Sequence, residues 1–278
     1  MFTEDVSPTF AAQIENEEVT AWQDMYDALP ADFANQFQLK MMRVQNVALT
    51  LCPAIPFVHF NAVKNFGMGE PASEALRDDI CTIYREAGIH HFTFYHMPHC
   101  QPPELSGWLK SRGFQAQGGW DRIYRDSQPL NAGNLIKPTD GQRVEKVTLA
   151  TAPEWAGYID ATYGLPTSPW LLATVERPGW HHYMLRQGGQ IVAVRSMFIN
   201  AAGWAWWGIE APVPGIMAPS FDLDRQLCQA MVQDGLKLGA QHFVADIEAP
   251  TPAMDTPAYH HFAELGFKRP YFRTHYNC

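Results

Sequence analysis

Side chains that can transfer protons follow several strand-like segments in the second half of the sequence. They are the carboxylates of Glu210, Asp246 and Glu248 and the histidine pairs His181-His182 and His260-His261. Carboxylates and imidazoles that border a cleft are common general acids and bases in enzymes. Each of them has a second interpretation as an ordinary solvent-exposed group. The fold must therefore decide which of them share a cleft.

An aromatic segment directly precedes Glu210. Trp204 and Trp206 share one face of a strand and Trp207 lies on the other, because side chains alternate along a strand. Tryptophan in a strand commonly packs in the core, and the alternative is an apolar or aromatic substrate pocket. The candidate substrate-binding residues are Trp204, Trp206, Trp207, Tyr183, His182 and Phe198.

The segment 90–100 has the residue types of a metal site. Its candidate ligands are His90, His91, His96, His99 and Cys100. They alternate unevenly across a strand and its exit loop, and no carboxylate or second cysteine completes a tetrahedral set. We therefore predict no metal site. The five cysteines are odd in number and widely spread, which argues against a disulfide framework.

Charge and hydropathy narrow the classes of partner. The formal net charge is -9, and the 20 lysines and arginines form no run, so a nucleic-acid partner is not expected. No apolar stretch approaches the ~18 residues of a membrane span, and the first residues lack the pattern of a signal peptide. We predict a cytoplasmic protein without a membrane partner.

The chain repeats a pattern at the spacing of a whole domain. Gly, His and Phe occupy matching places in GIHHFTF (88–94) and GAQHFVA (239–245), at an offset of 151 residues. A second pair of segments, LKSRGF (109–114) and FAELGF (262–267), follows each copy. We predict two homologous domains, 1–130 and 142–278, joined by the linker 131–141.

The elements expected in the two halves follow the same order. For the first half we predict helices 15–28 and 30–40, strands 43–52 and 56–66, helix 73–88, strand 90–97, helix 103–112 and strand 114–125. For the second half we predict strand 143–149, helices 152–163 and 169–176, strands 180–187, 190–200 and 204–210, helix 222–238, strand 242–248, helix 256–265 and strand 267–276. Helix 73–88 has a capping Ser73 and a terminating Gly88.

This order, together with the ending YHHFAELGF (259–267) and the strand pair 190–200 and 204–210, resembles the GNAT superfamily of N-acyltransferases. The resemblance covers most of the chain. It implies a mixed α/β (α+β) fold of two tandem GNAT-like domains, each with a mostly antiparallel, splayed central sheet flanked by helices. It also implies acetyl-CoA or another acyl-CoA as cofactor and an amine substrate.

In the family, a glycine-rich loop before a helix binds the coenzyme pyrophosphate through backbone N–H groups. The resemblance implies that the cofactor-binding residues are Ile209, Ala211, Val213, Gly215, Ile216, Met217, Ala218, Ser220 and Arg225. The chain departs from the pattern, since segment 211–225 has a single glycine and no Arg-x-x-Gly-x-Gly motif. Asp222 and Asp224 would repel a pyrophosphate placed beside them.

The resemblance also implies catalytic roles. Phe262 occupies the place of the tyrosine that protonates the leaving thiolate in many relatives. Tyr259, one turn earlier, is the substitute, and core packing is its alternative role. Glu210 corresponds to the carboxylate that deprotonates the amine in some relatives. The predicted function is acyl transfer to the amine of a small molecule or peptide, with an apolar or aromatic substrate favoured by the tryptophans. The alternative is a degenerate GNAT-fold protein that binds a ligand or partner, or catalyses another reaction, without coenzyme A.

Overall fold

A computed structural model describes residues 4–55, 57–138, 141–212, 221–249 and 257–278 of the chain. The first elements are α1 (Pro8–Asp27), α2 (Ala31–Phe37), β1 (Lys40–Val44), β2 (Val47–Leu51), β3 (Ala62–Lys64), α3 (Glu74–Glu86), β4 (Thr93–His96), α4 (Leu105–Ser111) and β5 (Gln115–Asp126). They are followed by β6 (Gln142–Lys146), α5 (Ala152–Tyr163), α6 (Ser168–Leu172), β7 (Trp180–Gln187), β8 (Gln190–Ile199), β9 (Trp204–Pro212), α7 (Phe221–Lys237), β10 (His242–Ala249), α8 (Pro257–Glu264) and β11 (Lys268–Asn277).

The helix boundaries follow local capping chemistry. Ser73 accepts a hydrogen bond from the Leu76 N–H at 3.1 Å, which caps α3 as predicted. Gly88, just past the end of that helix, has φ of +72°, a conformation that glycine adopts without strain. Ser7 caps α1 in the same way through the Phe10 N–H at 3.2 Å, so this helix begins seven residues before its predicted start at 15.

The predicted strand 43–52 is wrong. It is a hairpin in which β1 and β2 pair antiparallel from Lys40↔Leu51 to Val44↔Val47. The turn residue Gln45 has φ of +55°. Glutamine is not a usual marker of positive φ, and the adjacent Asn46 is the local turn signal that the prediction overlooked. The predicted strand 56–66 is also too long, since only Ala62–Lys64 forms β3.

The chain divides into two compact units. The described residues of the N-terminal unit are 4–55, 57–122, 248–249 and 269–278, and those of the C-terminal unit are 123–138, 141–212, 221–247 and 257–268. Sheet order is β1-β2-β3-β4-β11-β5 in the first and β5-β10-β9-β8-β7-β6 in the second. Strand pairs β3/β4 and β9/β10 are parallel, and the other described registers are antiparallel. The mixed, mostly antiparallel fold is as predicted.

Nearly all of the last strand of the chain, and the end of the last strand of the first half, belong to the other unit. Strand β11, at the end of the chain, pairs antiparallel with β4 from Thr274↔His96 to Asn277↔Thr93 within the N-terminal unit. Residues 123–126 of β5 belong to the C-terminal unit, while 115–122 belong to the N-terminal one. The compact units therefore differ from the segments 1–130 and 142–278, whose boundaries as homologous halves remain a prediction.

Two layers of apolar side chains cover the sheet of the C-terminal unit. On one face, Leu227, Cys228 and Met231 of α7 pack with Tyr259 and Phe262 of α8. On the other face, Trp155, Ala156 and Ile159 of α5 pack with Met184 and Val194 of the sheet. We call these the α7 face and the α5 face. In the described part of the chain, no helix is long and apolar enough to cross a membrane.

Candidate active site

Strand β9 contains a strained bulge. Its register with β8 runs through Ser196↔Gly208 and resumes at Val194↔Ala211, so Ile209 and Glu210 lie opposite Arg195 alone. Ile209 has φ of +51°. A β-branched residue in this conformation is an outlier, because its side chain clashes with the backbone. Bulges and backbone strain of this kind concentrate next to active sites.

Strands β9 and β10 separate beside the bulge. Their parallel register covers Trp204↔His242, Ala205↔Phe243 and Trp206↔Val244. Between residues 207–211 and 245–248, all within the described segments, no further register pairs are formed. The β10 side of β9 therefore opens at Trp207, immediately before the bulge. This opening is the splay that the sequence predicts for the C-terminal half.

The N-terminal unit has a residue of positive φ at the position that corresponds to Ile209. Phe92 and Phe243 are equivalent in the repeated motif. Thr93 pairs with Ala62, and Val244 pairs with Trp206, which makes Ala62 and Trp206 equivalent. Three residues further on lie Asn65 and Ile209, with φ of +65° and +51°. Both halves thus retain the same unusual backbone conformation at the same strand position.

In the N-terminal unit, however, backbone hydrogen bonds bridge the segments that follow β3 and β4. The Gln101 N–H donates to the Gly67 carbonyl at 2.8 Å, and the Ala72 N–H donates to the Gln101 carbonyl at 2.8 Å. A Cβ on Gly67 would lie 2.6 Å from the Gln101 carbonyl oxygen. The chain itself therefore occupies the exit from this strand pair.

Glu210 lies at the bulge and is half exposed, with 53% of its side chain accessible. Its carboxylate accepts a hydrogen bond from Arg195 Nη1, and its backbone carbonyl accepts one from the Tyr163 hydroxyl of α5. The side chain is therefore accessible to solvent while both its carboxylate and its backbone are held in place.

Arg195 joins Glu210 to Asp224 in the first turn of α7. Its Nε donates to Asp224 Oδ1 at 2.6 Å and its Nη2 to Oδ2 at 3.0 Å. Burial acts to raise the pKa of Asp224, but Arg195 and the neighbouring His261 outweigh burial and lower it. The sequence predicts that Asp224 would repel a pyrophosphate placed beside it, and in the structure its carboxylate is bound to Arg195.

The α8 side chains meet this network at Phe262. The centroid of its ring lies 5.9 Å from the guanidinium carbon of Arg195 and 6.5 Å from the centroid of the Trp207 ring. Tyr259 is buried in the same apolar layer. His261 Nε2 lies 3.4 Å from Asp224 Oδ2. Arg195 was missed from the sequence, and so was its link to Asp224 and His261, because the three residues meet only through tertiary contacts.

The predicted substrate-binding residues divide between the two faces of the sheet. His182 lies on the α5 face, where its ring contacts Trp155 with 4.4 Å between centroids, and Nδ1 is 2.8 Å from Ser196 Oγ. Burial lowers the pKa of His182 to about 4. Tyr183 lies on the α7 face and donates to Asp234 Oδ2 at 2.5 Å.

The aromatic residues of β8 and β9 follow the same division. Phe198 contacts Trp180, which stacks on His182, and Trp206 contacts Trp180 edge-on. Trp204 lies on the face of Trp206 by strand alternation, whereas Trp207 packs in the α7 layer. The six residues are not brought together, so a single pocket lined by all of them is not formed.

The predicted cofactor-binding residues are placed in part. Ile209 and Ala211 lie at and just after the bulge. Val213, Gly215, Ile216, Met217, Ala218 and Ser220 lie outside the described residues. Arg225 is ion-paired with Glu264, and its Nη2 donates to the Asn134 carbonyl at 2.5 Å. Its charge is therefore already balanced by a carboxylate of α8.

A surface cavity of about 570 Å³ lies at the other end of β9, at the β8–β9 turn. Gly179, His181, Asn200, Gly203 and Gln241 are among its lining residues. It shares no residue with the bulge. We therefore place the candidate site at the bulge, where strain, an exposed carboxylate and an open strand edge coincide.

Solved structures share this architecture. A GCN5-related N-acetyltransferase from Kribbella flavida matches with a TM-score of 0.62 and 13% identity, covering 96% of this chain and 95% of that one. A tandem GNAT protein from the clavulanic acid biosynthesis pathway matches with a TM-score of 0.57 and 13% identity, over 84% and 78% of the two chains. The chain has the GNAT fold. A GCN5-related N-acetyltransferase from Sphaerobacter thermophilus gives a TM-score of 0.58 at 11% identity, over 78% and 71%.

Sequence comparisons add nothing to this. No protein-family model matches the chain, and no curated protein matches it. The likeness lies in the fold, which confirms the resemblance inferred from the order of elements and the two motifs. A fold supports many activities, so the reaction must be argued from the site.

Proposed function

We propose that the C-terminal unit is an N-acyltransferase that moves an acyl group from acetyl-CoA or another acyl-CoA to the amine of a small molecule or peptide. The observation that carries this proposal is the strained bulge at Ile209 beside the opening between β9 and β10. A structural sheet would gain hydrogen bonds from continued pairing and would avoid the strain. The presence of both the strain and the opening therefore favours a functional role for the backbone at Ile209.

The strand geometry fits an acyl-pantetheine arm. Past Trp206, the side of β9 that faces β10 has no register partner among the described residues, so an extended ligand can add there as a strand does. Ile209 and Ala211 would contribute backbone groups to it. Bound acyl-CoA would supply the acyl group as an activated thioester. Our proposed binding segment for its pyrophosphate remains the start of α7 together with Val213, Gly215, Ile216, Met217, Ala218 and Ser220.

Glu210 is the proposed general base. Its exposed carboxylate can accept the proton of an incoming amine, while Arg195 fixes its position. Backbone N–H groups at the bulge would stabilise the negative charge that develops on the acyl carbonyl oxygen. Phe262 has no proton to give to a leaving thiolate. Tyr259 is the proposed donor on α8, and Trp204, Trp206 and Phe198 on the α5 face favour an apolar or aromatic substrate.

The N-terminal unit is proposed to have no part in coenzyme binding. Its Gly67, Ala72 and Gln101 use their backbone groups on one another at the exit of the equivalent strand pair. An extended ligand would have to break both hydrogen bonds to enter. This unit keeps the positive φ at Asn65 without the open edge.

A second candidate function is ligand or partner binding without acyl transfer. The observation that favours it is the pairing of Arg225 with Glu264, which satisfies the basic side chain that α7 itself carries near its start. Together with the missing glycine-rich motif, this pairing removes the usual attraction for a pyrophosphate.

Binding of the coenzyme separates the two candidates. The experiment is a thermal-shift and calorimetric titration of the full chain with acetyl-CoA, longer acyl-CoAs and free coenzyme A. Acyl transfer predicts a rise in Tm with at least one acyl-CoA and release of free thiol when amines are added. Absence of both, in protein shown to be folded, would favour the binding-protein candidate.

A further inference from the structure

Three side chains with metal-binding atoms converge between α7 and α8 of the C-terminal unit. Asp224 and Cys228 are four residues apart on α7, and a spacing of four places side chains on one face of a helix. His261 approaches them from α8. One ligand atom from each residue lies within 4.8 Å of the others, and all three residues are buried. Among the described residues, these three form the one group of His, Cys, Asp or Glu side chains whose ligand atoms converge so closely.

His261 is the residue that an ordinary core does not explain. It is 4% exposed, its Nδ1 makes no hydrogen bond to any described group, and its Nε2 has only a 3.4 Å approach to Asp224 Oδ2. A buried polar atom without a partner is costly, and native structures contain few of them. A bound cation would satisfy one imidazole nitrogen through its lone pair.

The spacing of the nearest pair fits shared coordination. His261 Nε2 and Asp224 Oδ2 are 3.4 Å apart, which is long for a hydrogen bond between these groups. Two ligands each about 2.0–2.1 Å from a tetrahedral zinc ion lie roughly 3.3–3.4 Å from one another. The imidazole and the carboxylate are therefore already at the distance they would have on one ion.

The surrounding charges can accommodate a divalent cation. Arg195 is a cation that faces the cluster of Asp224, Cys228 and His261. The carboxylates of Asp224 and Glu210 are both bound to Arg195. A divalent metal and Arg195 together carry three positive charges. The thiolate of Cys228 and the carboxylates of Asp224 and Glu210 carry three negative charges. Arg195 would then act as the outer partner that orients the ligating carboxylate, as hydrogen-bond donors commonly do around metal ligands.

We propose that Asp224, Cys228 and His261 bind one Zn²⁺ ion, which links α7 to α8 and leaves a fourth position for water. A thiolate, an imidazole and a carboxylate form a donor set that favours zinc over magnesium or calcium. The site departs from our sequence-based expectation of no metal, because its ligands come from two helices with no short motif. It does not depend on acyl transfer.

Cobalt is the probe that reports the ligands directly. The full chain, freed of metal with a chelator and kept reduced, is titrated with Co²⁺. The expected result is saturation near one equivalent, with visible bands of a tetrahedral ion and a near-ultraviolet thiolate-to-cobalt charge-transfer band. Cys228→Ser should lose the charge-transfer band. Cys81→Ser, on α3 of the other unit, is the matched control and should keep it.

Thermal melting provides a second measurement on the same proteins. Zn²⁺ should raise the Tm of the chelator-treated wild type, because a ligand that binds only the folded state stabilises it. His261→Asn should lose most of that rise. If the folded wild type gains neither the cobalt bands nor Tm, or if Cys228→Ser keeps the charge-transfer band, the zinc site is refuted. Acyl-CoA binding is measured separately, so either proposal can fail alone.

Discussion

Arg195 and Asp224 form a two-point ion pair that ties the middle of β8 to the first turn of α7. The Nε–Oδ1 and Nη2–Oδ2 distances are 2.6 and 3.0 Å, and the remaining Nη1 binds Glu210. A guanidinium can hold two carboxylates at fixed angles in this way because it is planar and presents several donors. The carboxylate of Glu210 at the bulge is therefore held in place by Arg195, which Asp224 fixes in turn.

The first prediction concerns this positioning. Arg195→Lys retains the charge but not the fork of donors, so Glu210 should lose its fixed orientation. If acyl transfer is the activity, we expect kcat to fall about 10–100-fold with a smaller change in KM, since orientation acts on the reacting step. Steady-state kinetics checks this. Arg186→Lys, which alters the similar pair with exposed Glu154, is the control. Equal losses in both variants would contradict a positioning role.

The second prediction concerns the close packing of Trp206 on Gly208. A Cβ at Gly208 would lie 2.0 Å from the Trp206 ring. We expect Gly208→Ala to lower the free energy of unfolding by about 1–3 kcal/mol, the usual cost of overpacking. Gly157→Ala on α5 is the control, because its Cβ meets nothing within 4 Å. The free energy of unfolding of Gly157→Ala should be unchanged or higher by about 0.5–1 kcal/mol. Denaturant unfolding measures both, and a Gly208→Ala protein as stable as wild type would show that the ring moves freely.

The third prediction concerns a buried ionic cluster in the N-terminal unit. Glu18 of α1 binds Lys64, at 2.6 Å, and both Arg122 and Arg273. Replacing it by Gln leaves these buried cations poorly balanced, so we expect Glu18→Gln to cost about 3–5 kcal/mol of unfolding free energy. Glu17→Gln is the neighbouring control. Burial raises the pKa of Glu17 to about 7, so its neutral substitute should preserve or improve stability above that pH. The reverse order of stabilities would contradict the cluster's role.

The fourth prediction is the pH dependence of the same cluster. Burial acts to raise the pKa of Glu18, but Arg273, Lys64 and Arg122 outweigh burial and hold it well below the ordinary 4.5. A depressed folded-state pKa contributes stability that is present above the unfolded pKa and is lost as pH falls through the folded one. We therefore expect the difference in unfolding free energy between wild type and Glu18→Gln to shrink below about pH 4.5. A difference that stays constant down to the acid transition would contradict this linkage.

Elements set by local patterns were predictable from the sequence. Helix α5 spans Ala152–Tyr163, as predicted, and Ser73 caps α3 as expected. Alternation along β9 correctly placed Trp207 opposite Trp204 and Trp206. These features depend on neighbours within a few residues, so the sequence states them directly.

Tertiary relationships were not predictable in this way. An aspartate at a helix start indicates a cap, and nothing local to Asp224 indicates its pairing with Arg195, 29 residues earlier. The exchange of β11 into the N-terminal unit depends on which strand edges meet, which a single sequence does not specify. The strain at Ile209 is also hidden, since isoleucine is a strong strand former, although Gly208 just before it is a local signal of a bulge.

The central claim is that Glu210 accepts the proton of an amine at an acyl-transfer site. Its most direct test compares turnover of Glu210→Gln with that of Glu154→Gln, two carboxylates that are each 53% exposed and paired with arginine. With an acyl-CoA and amine that the wild type turns over, Glu210→Gln should be slower by about 10²–10⁴-fold with unchanged acyl-CoA affinity, and Glu154→Gln should match wild type. Full activity in Glu210→Gln would contradict the assignment.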